Sequence, residues 1–206
     1  MVRYGQLCIQ CIHNSTTNLG HPRLTTIALA QGSALGGGFE AALFANFLVA
    51  ERSAQMGFPE ILFNLLPGMG AYNLLARRLD AARAERFLCS GRQYTAAELY
   101  EMGVVDVLAE DGQGVHAVNA FIRRHQRSSN GLLAIQQVRQ RLNPIPFREL
   151  EDLVMIWVKA AKNLTERDLR TMERLVSAQH RLARRSDDVG HTHEPAENLV
   201  PLAGVA

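Results

Sequence analysis

The sequence contains little lysine, few cysteines and no long apolar run. Only Lys159 and Lys162 are lysines among the 22 basic residues, and the formal net charge of +2 is too small to predict nucleic-acid binding. The three cysteines, Cys8, Cys11 and Cys89, form no framework of regular pairs, which predicts reduced thiols in a cytoplasmic protein. No apolar stretch is long enough to span a bilayer and the first residues lack a secretory-signal pattern, so we expect neither membrane insertion nor secretion.

The residues that are present are typical of a globular α/β protein, with 47% hydrophobic and 20% charged residues. The apolar run LTTIALAQG predicts a buried strand, GGGFEAALFANF predicts a helix, and FLVAERS predicts a second strand. Two helical patterns follow in PGMGAYNLLARRL and AARAERFLCSG. TAAELYEMG predicts a short helix with a capping box of Thr95 and Glu98, and VVDVLAE predicts a further strand.

The patterns divide the chain into three regions. Residues 1–110 form the α/β core. In residues 111–185 the apolar residues recur with the spacing of a helix, with breaks near Ser128–Gly131 and Pro144–Pro146. Residues 186–206 lose that period and gain proline, glycine and charge, which predicts a disordered tail. The first helix, from Tyr4 to about His13, has no start signal of its own, as in a domain entered partway through.

Three glycines, Gly36, Gly37 and Gly38, follow the first strand and precede a helix. Glycine lets a ligand approach the backbone closely, and free N–H groups at the start of a helix attract negative charge. A carbonyl group under attack develops such charge on its oxygen, and a fixed donor stabilises it by roughly 3–4 kcal/mol. The alternative is that the glycines only allow tight packing between strand and helix.

Two glutamates lie in apolar surroundings. Glu40 falls in the first helical turn after the glycines, and Glu60 lies in the run GFPEILFNLLPGMG. Burial of an unpaired carboxylate is costly and raises its pKa toward neutrality, which suits a general acid or base. Either residue alone could be an ordinary helix-start or ion-paired glutamate, but together they predict an acid/base pair.

These motifs resemble the enoyl-CoA hydratase/isomerase (crotonase) superfamily. QGSALGGGFEAAL is followed by MGFPEILFNLLPGMGA and later by TAAELYEMGVVDVL, so the resemblance covers roughly residues 24–110. It implies a crotonase-like ββα superhelix, here lacking its first strand–strand–helix turns, with a C-terminal helical region. It also implies that Glu40 and Glu60 are catalytic, that the N–H of Gly37 is one oxyanion donor, that no cofactor is needed, and that the chain forms trimers or hexamers.

Other features are similar to those of diffusible-signal-factor synthases, crotonase-fold enzymes that make cis-2-unsaturated fatty-acid signals for quorum sensing. These features are Phe39, the run FNLLPGMGAYNLL and the run LRTMERLVSAQHR. This resemblance implies a lyase and thioesterase that dehydrates and then hydrolyses a 3-hydroxyacyl thioester of acyl carrier protein. Two alternatives stay open: a conventional CoA hydratase or isomerase of fatty-acid degradation, and an inactive scaffold that binds a regulatory protein partner.

Candidate substrate-binding residues come from the glycine loop, the Pro-Gly turn and the later helices. The run LVMIWVKAA around Trp157 is apolar on more than one face, so it could help to line a tunnel for a medium-length acyl chain. Core packing or a subunit interface would explain the same pattern. The candidates are Leu35, Gly36, Met69, Trp157 and Leu175.

Two further patterns have less specific meanings. Cys8-x-x-Cys11 with His13 lacks a second pair of ligands, so a structural helix is favoured and no metal site is predicted. A cluster of arginines could dock an acidic carrier protein or form an ordinary solvated helix surface. The cluster comprises Arg77, Arg78, Arg83, Arg86 and Arg92.

Overall fold

The computed structural model describes residues 2–188. Six strands alternate with five α-helices in the first part of this range, and four more α-helices form its C-terminal part. Two 3-10 helices, Asn18–Gly20 and Pro59–Phe63, complete the secondary structure of this range. In chain order, the elements are α1 (Val2–Thr16), β1 (Ile27–Ala30), β2 (Ala34–Leu35), α2 (Gly37–Leu43), β3 (Phe47–Glu51), β4 (Gln55–Gly57), α3 (Ala71–Arg78), α4 (Ala81–Ser90), β5 (Gln93–Thr95), α5 (Ala96–Glu101), β6 (Val107–Ala109), α6 (Gly114–Gln126), α7 (Ser129–Leu142), α8 (Phe147–Ala161) and α9 (Glu166–Asp188).

The first sheet contains the three strands that the sequence predicted. β3 lies in the centre and pairs in parallel with β1 on one side and β6 on the other. Leu48, Val49 and Ala50 of β3 are fully buried, as expected for a continuous apolar run in a parallel sheet.

The second sheet was not predicted, because its strands have only two or three residues and show no alternating pattern. β2 pairs in parallel with β4, and β4 pairs antiparallel with β5. The register places Leu35 opposite Gly57. The glycine loop that follows β2 is therefore held beside the segment that leads into the 3-10 helix with Glu60.

The C-terminal helices confirm the predicted breaks near residues 128 and 144 and add another. α8 ends at Ala161, and α9 begins after Thr165, whose hydroxyl and backbone N–H both donate to the Asp168 carboxylate at 2.8 Å. This cap starts a new helix, and its Thr-x-x-Asp pattern is visible in the sequence.

Helices α1 and α8 pack together over the core. Ile9 and Ile12 of α1 and Leu150 of α8 are fully buried, and Gly5 allows the side chain of Val154 to approach the α1 backbone. A first compact unit extends to Met172 and a second begins at Glu173. The predicted division at residues 110 and 111 stays a prediction, and residues 189–206 of the predicted tail lie outside the described range, whereas 186–188 belong to α9.

No helix within residues 2–188 combines the length and the apolar character that a membrane crossing requires.

Candidate acid/base site

Gly36 shapes the loop that leads into α2. Its φ of 55° lies in the left-handed region, which favours glycine, and its N–H donates to the carbonyl oxygen of Gly57 at 2.9 Å. Its own carbonyl oxygen accepts from the N–H groups of Phe39 and Glu40, at 2.9 and 3.0 Å. The loop thus fixes where α2 begins and where the first turn directs its side chains.

Glu40 is a buried carboxyl held by backbone donors. The residue is only 2% exposed, and its Oε1 accepts hydrogen bonds from the N–H groups of Met69 at 2.8 Å and Ala71 at 3.0 Å. Burial raises the pKa of Glu40 to about 8, although the two N–H groups act in the opposite direction. Within the described residues no hydrogen bond engages its Oε2, so that oxygen is available to a water or a substrate.

Glu60 enters the site from the 3-10 helix that Pro59 begins. Its Oε2 is buried and has no hydrogen-bond partner within the described part of the chain. Burial raises the pKa of Glu60 to about 7. A buried carboxyl oxygen without a protein partner is costly to maintain, which makes Glu60 a candidate for contact with a bound molecule.

Glu40 and Glu60 both adjoin the glycine loop that precedes α2. Burial is the main cause of the raised pKa of Glu40, and a charge on Glu60 adds to it. Gly36 lies against Glu60, since a Cβ added to Gly36 would stand 2.5 Å from Oε1 of Glu60. The predicted pairing of the glutamates around the glycine loop therefore has a geometric basis, and their catalytic roles remain a proposal.

Gly37 is the first residue of α2 and is exposed. As the first helical residue, it has no acceptor for its N–H one turn earlier. The sulfur of Met69 lies 3.6 Å from the position of a Cβ on Gly37. Met69 therefore borders the proposed oxyanion donor with its side chain and binds Glu40 with its backbone.

The other predicted substrate-binding residues occupy different positions. Leu35 is half-buried in β2, directly before Gly36. Trp157 contacts Gly68 in the turn before α3, since a Cβ on Gly68 would lie 2.7 Å from its Cδ1. Leu175 belongs to α9 within the second unit, and its role stays a prediction.

Sequence reasoning missed Ala71, the second N–H donor to Glu40, and Gly68, the residue against which Trp157 packs. Pro67–Gly70 was singled out as a motif, but nothing local to it indicates which buried group its backbone contacts. The alternation of glycines at Gly68 and Gly70 was the available signal, because glycines permit the close approach of other groups.

A cavity of about 580 Å³ lies elsewhere, among residues of α1, α3 and α7, and neither glutamate lines it. Arg77 and Arg78 line it, but their guanidinium groups already donate to the carbonyl oxygens of Pro144 at 2.6 Å and Val104 at 3.0 Å. These arginines hold loops together, which explains their position without a ligand.

Acidic partners largely neutralise the arginine cluster. Arg83 and Arg92 agree with the solvated-surface interpretation, whereas Arg77 and Arg78 are mostly buried and have a structural role. The ion pairs are Arg77–Glu149, Arg78–Asp106, Arg83–Asp80 and Arg92–Glu98. Cys8 and Cys11 lie on α1 as free thiols, and among the described residues no group of three or more potential metal ligands comes together.

Comparison with known proteins yields one family and many relatives. A family model described as "Enoyl-CoA hydratase/isomerase" matches residues 10–145. The chain is 38% identical over 95 residues to a Rhizobium meliloti protein named "Probable enoyl-CoA hydratase", a match that covers 46% of this chain and 37% of that protein. It is 36% identical over 151 residues to the fatty acid oxidation complex subunit alpha of Pseudomonas syringae pv. tomato. That match covers 73% of this chain and 20% of that protein.

The solved structures agree in fold. Carnitinyl-CoA hydratase from Mycobacterium avium superposes with a TM-score of 0.63 at 24% identity, and the match covers 76% of this chain and 61% of that one. The chain thus spans only part of its relatives, about a third of the Rhizobium meliloti protein.

Proposed function

Because the chain belongs to the enoyl-CoA hydratase/isomerase family, we propose that it catalyses the reversible addition of water across the α,β double bond of an acyl-CoA thioester. The observation that carries this proposal is the pair of buried Glu40 and half-buried Glu60, whose pKa values are raised to about 8 and about 7. Because both pKa values are raised toward neutrality, one carboxyl group can carry a proton while the other is ionised, as the reaction requires.

The reaction requires one base and one acid on the same substrate. One carboxylate takes a proton from water while the water oxygen bonds to carbon 3, and the double-bond electrons move toward the thioester carbonyl oxygen. The other carboxyl group then gives its proton to carbon 2. The N–H of Gly37 supports the negative charge on the carbonyl oxygen between these two proton transfers.

The proposal predicts a loss of hydration when either carboxyl group becomes an amide. Glu40→Gln and Glu60→Gln keep the side-chain shape but remove its basicity, so each should lower kcat roughly 10²–10⁴-fold. The measurement follows the loss of the conjugated thioester's ultraviolet absorbance with a short enoyl-CoA. Glu101→Gln, an exposed change on α5, is the control and should retain the parent rate. Equal rates in all three variants would contradict the proposal.

The signal-synthase function is a second candidate that the sequence resemblance favours. The family and relatives support the conventional hydratase better, and Phe39 is fully buried with its ring 5.0 Å from that of Phe58, so it contributes to packing. Product analysis separates the candidates. Release of a free unsaturated acid from a 3-hydroxyacyl carrier-protein thioester supports the synthase, whereas an intact CoA thioester supports the hydratase.

We also propose that the chain assembles with copies of itself through its C-terminal helices. Met155 and Ile156 of α8 are 57% and 58% exposed, although both are large and apolar. Adjacent exposed apolar side chains on a helix are typical of an interface between subunits.

A further inference from the structure

The position of the Glu40 carboxyl group depends on one short turn. Both N–H groups that bind Oε1 of Glu40 belong to the segment before and at the start of α3, at Met69 and Ala71. Gly70 lies between them with a φ of 98°. Whatever holds this turn in place therefore also holds Glu40.

Helix α8 contacts the turn at two points. The indole of Trp157 lies against Gly68, where a Cβ would stand 2.7 Å from Cδ1 and 2.8 Å from Nε1. Leu150 lies 3.5 Å from the position of a Cβ on Gly70. Trp157 and Leu150 are seven residues apart, so they share one face of α8. Their two contacts flank Met69.

Met69 connects this turn to the glycine loop. Its N–H donates to Glu40, and its sulfur lies beside Gly37. A displacement of the turn would therefore move the hydrogen-bond donor of Glu40 and change the surroundings of Gly37 together.

Helix α8 is itself firmly placed. Leu150 is fully buried, and Val154 packs against Gly5 of α1, where a Cβ would lie 2.6 Å from Cγ1. The helix can therefore act as a fixed support for the turn, since a close-packed contact transmits any displacement to its neighbour.

We propose that Trp157 is a positioning residue, which holds the Gly68–Ala71 turn so that Met69 and Ala71 direct Glu40 toward the substrate. Its kinetic consequence rests on the proposed function. This role differs from lining an acyl tunnel, because it does not depend on the length of the acyl chain.

Kinetics separate the two roles. Trp157→Ala should lower kcat roughly 10–100-fold for a four-carbon enoyl-CoA and for a ten-carbon one alike, because a misplaced catalytic group slows the chemistry itself. KM for the short substrate should change less than about threefold. Lys159→Ala, an exposed change on the same helix, is the control and should leave both values unchanged. A rise in KM for the ten-carbon substrate alone would overturn the proposal and assign Trp157 to the acyl chain.

Amide hydrogen exchange tests the positioning role without any activity. In Trp157→Ala, the amides of Met69 and Ala71 should exchange roughly tenfold faster or more, since their hydrogen bonds to Glu40 open more often. Trp157→Phe keeps a ring near Gly68 and should give a smaller change, which provides a folded variant if Trp157→Ala does not fold. A parent chain without hydratase activity would refute the proposed function only. The positioning role would be refuted if the amides of Met69 and Ala71 exchanged at the parent rate in a Trp157→Ala variant with native circular dichroism. If Trp157→Ala does not fold, the same result in Trp157→Phe would refute it.

Discussion

At the scale of single residues, the contact between Gly36 and Glu60 makes a sharp test possible. An alanine at Gly36 would need a left-handed φ of 55° and would place its Cβ 2.5 Å from Oε1 of Glu60. Gly36→Ala should therefore lower the free energy of unfolding by about 1–3 kcal/mol. It should also lower kcat roughly 100-fold, because the carboxyl group of Glu60 must move.

Gly38→Ala is the matched control for Gly36→Ala. No atom lies within 4 Å of a Cβ at Gly38, and the residue is inside α2, where alanine is favoured over glycine by up to about 1 kcal/mol. Chemical denaturation and hydration kinetics of both variants make the comparison. Similar losses in both variants would show that the loop tolerates no change at all, and that the contact with Glu60 has no special importance.

The raised pKa of Glu40 has a consequence for stability. A carboxyl group with a pKa near 4.5 when unfolded and about 8 when folded binds its proton more tightly in the folded state. Its contribution to stability is therefore greatest at low pH and falls as the pH rises from about 5 to 8, by about 1.4 kcal/mol per pH unit. Glu40→Gln removes this dependence. Between pH 5 and pH 8 the free energy of unfolding of the variant should therefore rise relative to that of the parent protein by up to about 4 kcal/mol.

Denaturant titrations of the parent and of Glu40→Gln at several pH values measure this difference. Glu60→Gln should also become more stable relative to the parent as the pH rises. This relative gain in stability should end near pH 7, because the pKa of Glu60 in the parent is raised to about 7. Glu101→Gln on the surface of α5 serves as the comparison. If the difference in free energy of unfolding between the parent and Glu40→Gln did not change with pH, the conclusion that Glu40 is buried and protonated would be contradicted.

The sequence predicted both glutamates because each lies in a local apolar run, and local composition is what a sequence displays directly. It could not predict the hydrogen bonds to Glu40, since Met69 and Ala71 lie 29 and 31 positions further along the chain. Only the completed fold determines which backbone groups meet such a side chain.

At the scale of elements, long patterns were predictable and short ones were not. β1, β3 and β6 agree with the predicted strands, and α5 has the predicted capping box of Thr95 and Glu98. β2, β4 and β5 were missed because their two or three residues form strands through tertiary pairing, which local propensity does not reveal.

The packing of α1 on α8 gives a prediction at the same scale. Gly5→Ala places a Cβ 2.6 Å from Cγ1 of Val154, and overpacking of this kind costs about 1–3 kcal/mol. Gly131→Ala in α7 meets no atom within 4 Å and should be neutral or stabilising by up to about 1 kcal/mol. Urea denaturation of the two variants checks the difference. Equal stabilities of the two variants would mean that α1 and α8 can move apart without a loss of stability.

At the scale of the whole molecule, the predicted crotonase-like α/β fold is confirmed by the family match and by the superposition with the Mycobacterium avium hydratase. The proposed assembly remains to be measured. Light scattering at micromolar concentration should give a mass that is a multiple of 22.8 kDa. Met155→Glu combined with Ile156→Glu should reduce it to that of one chain, because charges are poorly tolerated in an apolar interface. A folded parent that is monomeric would contradict the assembly.

The short parallel pairing of β2 with β4 has a consequence for how such a protein can change over evolutionary time. Leu35 lies opposite Gly57, and the N–H of Gly36 binds the carbonyl oxygen of Gly57, so backbone atoms determine the spacing between the segments that carry the two carboxyl groups. Backbone hydrogen bonds persist when neighbouring side chains are exchanged. Mutations could therefore change the side chains around the proposed site while the spacing between the segments that carry Glu40 and Glu60 is inherited unchanged.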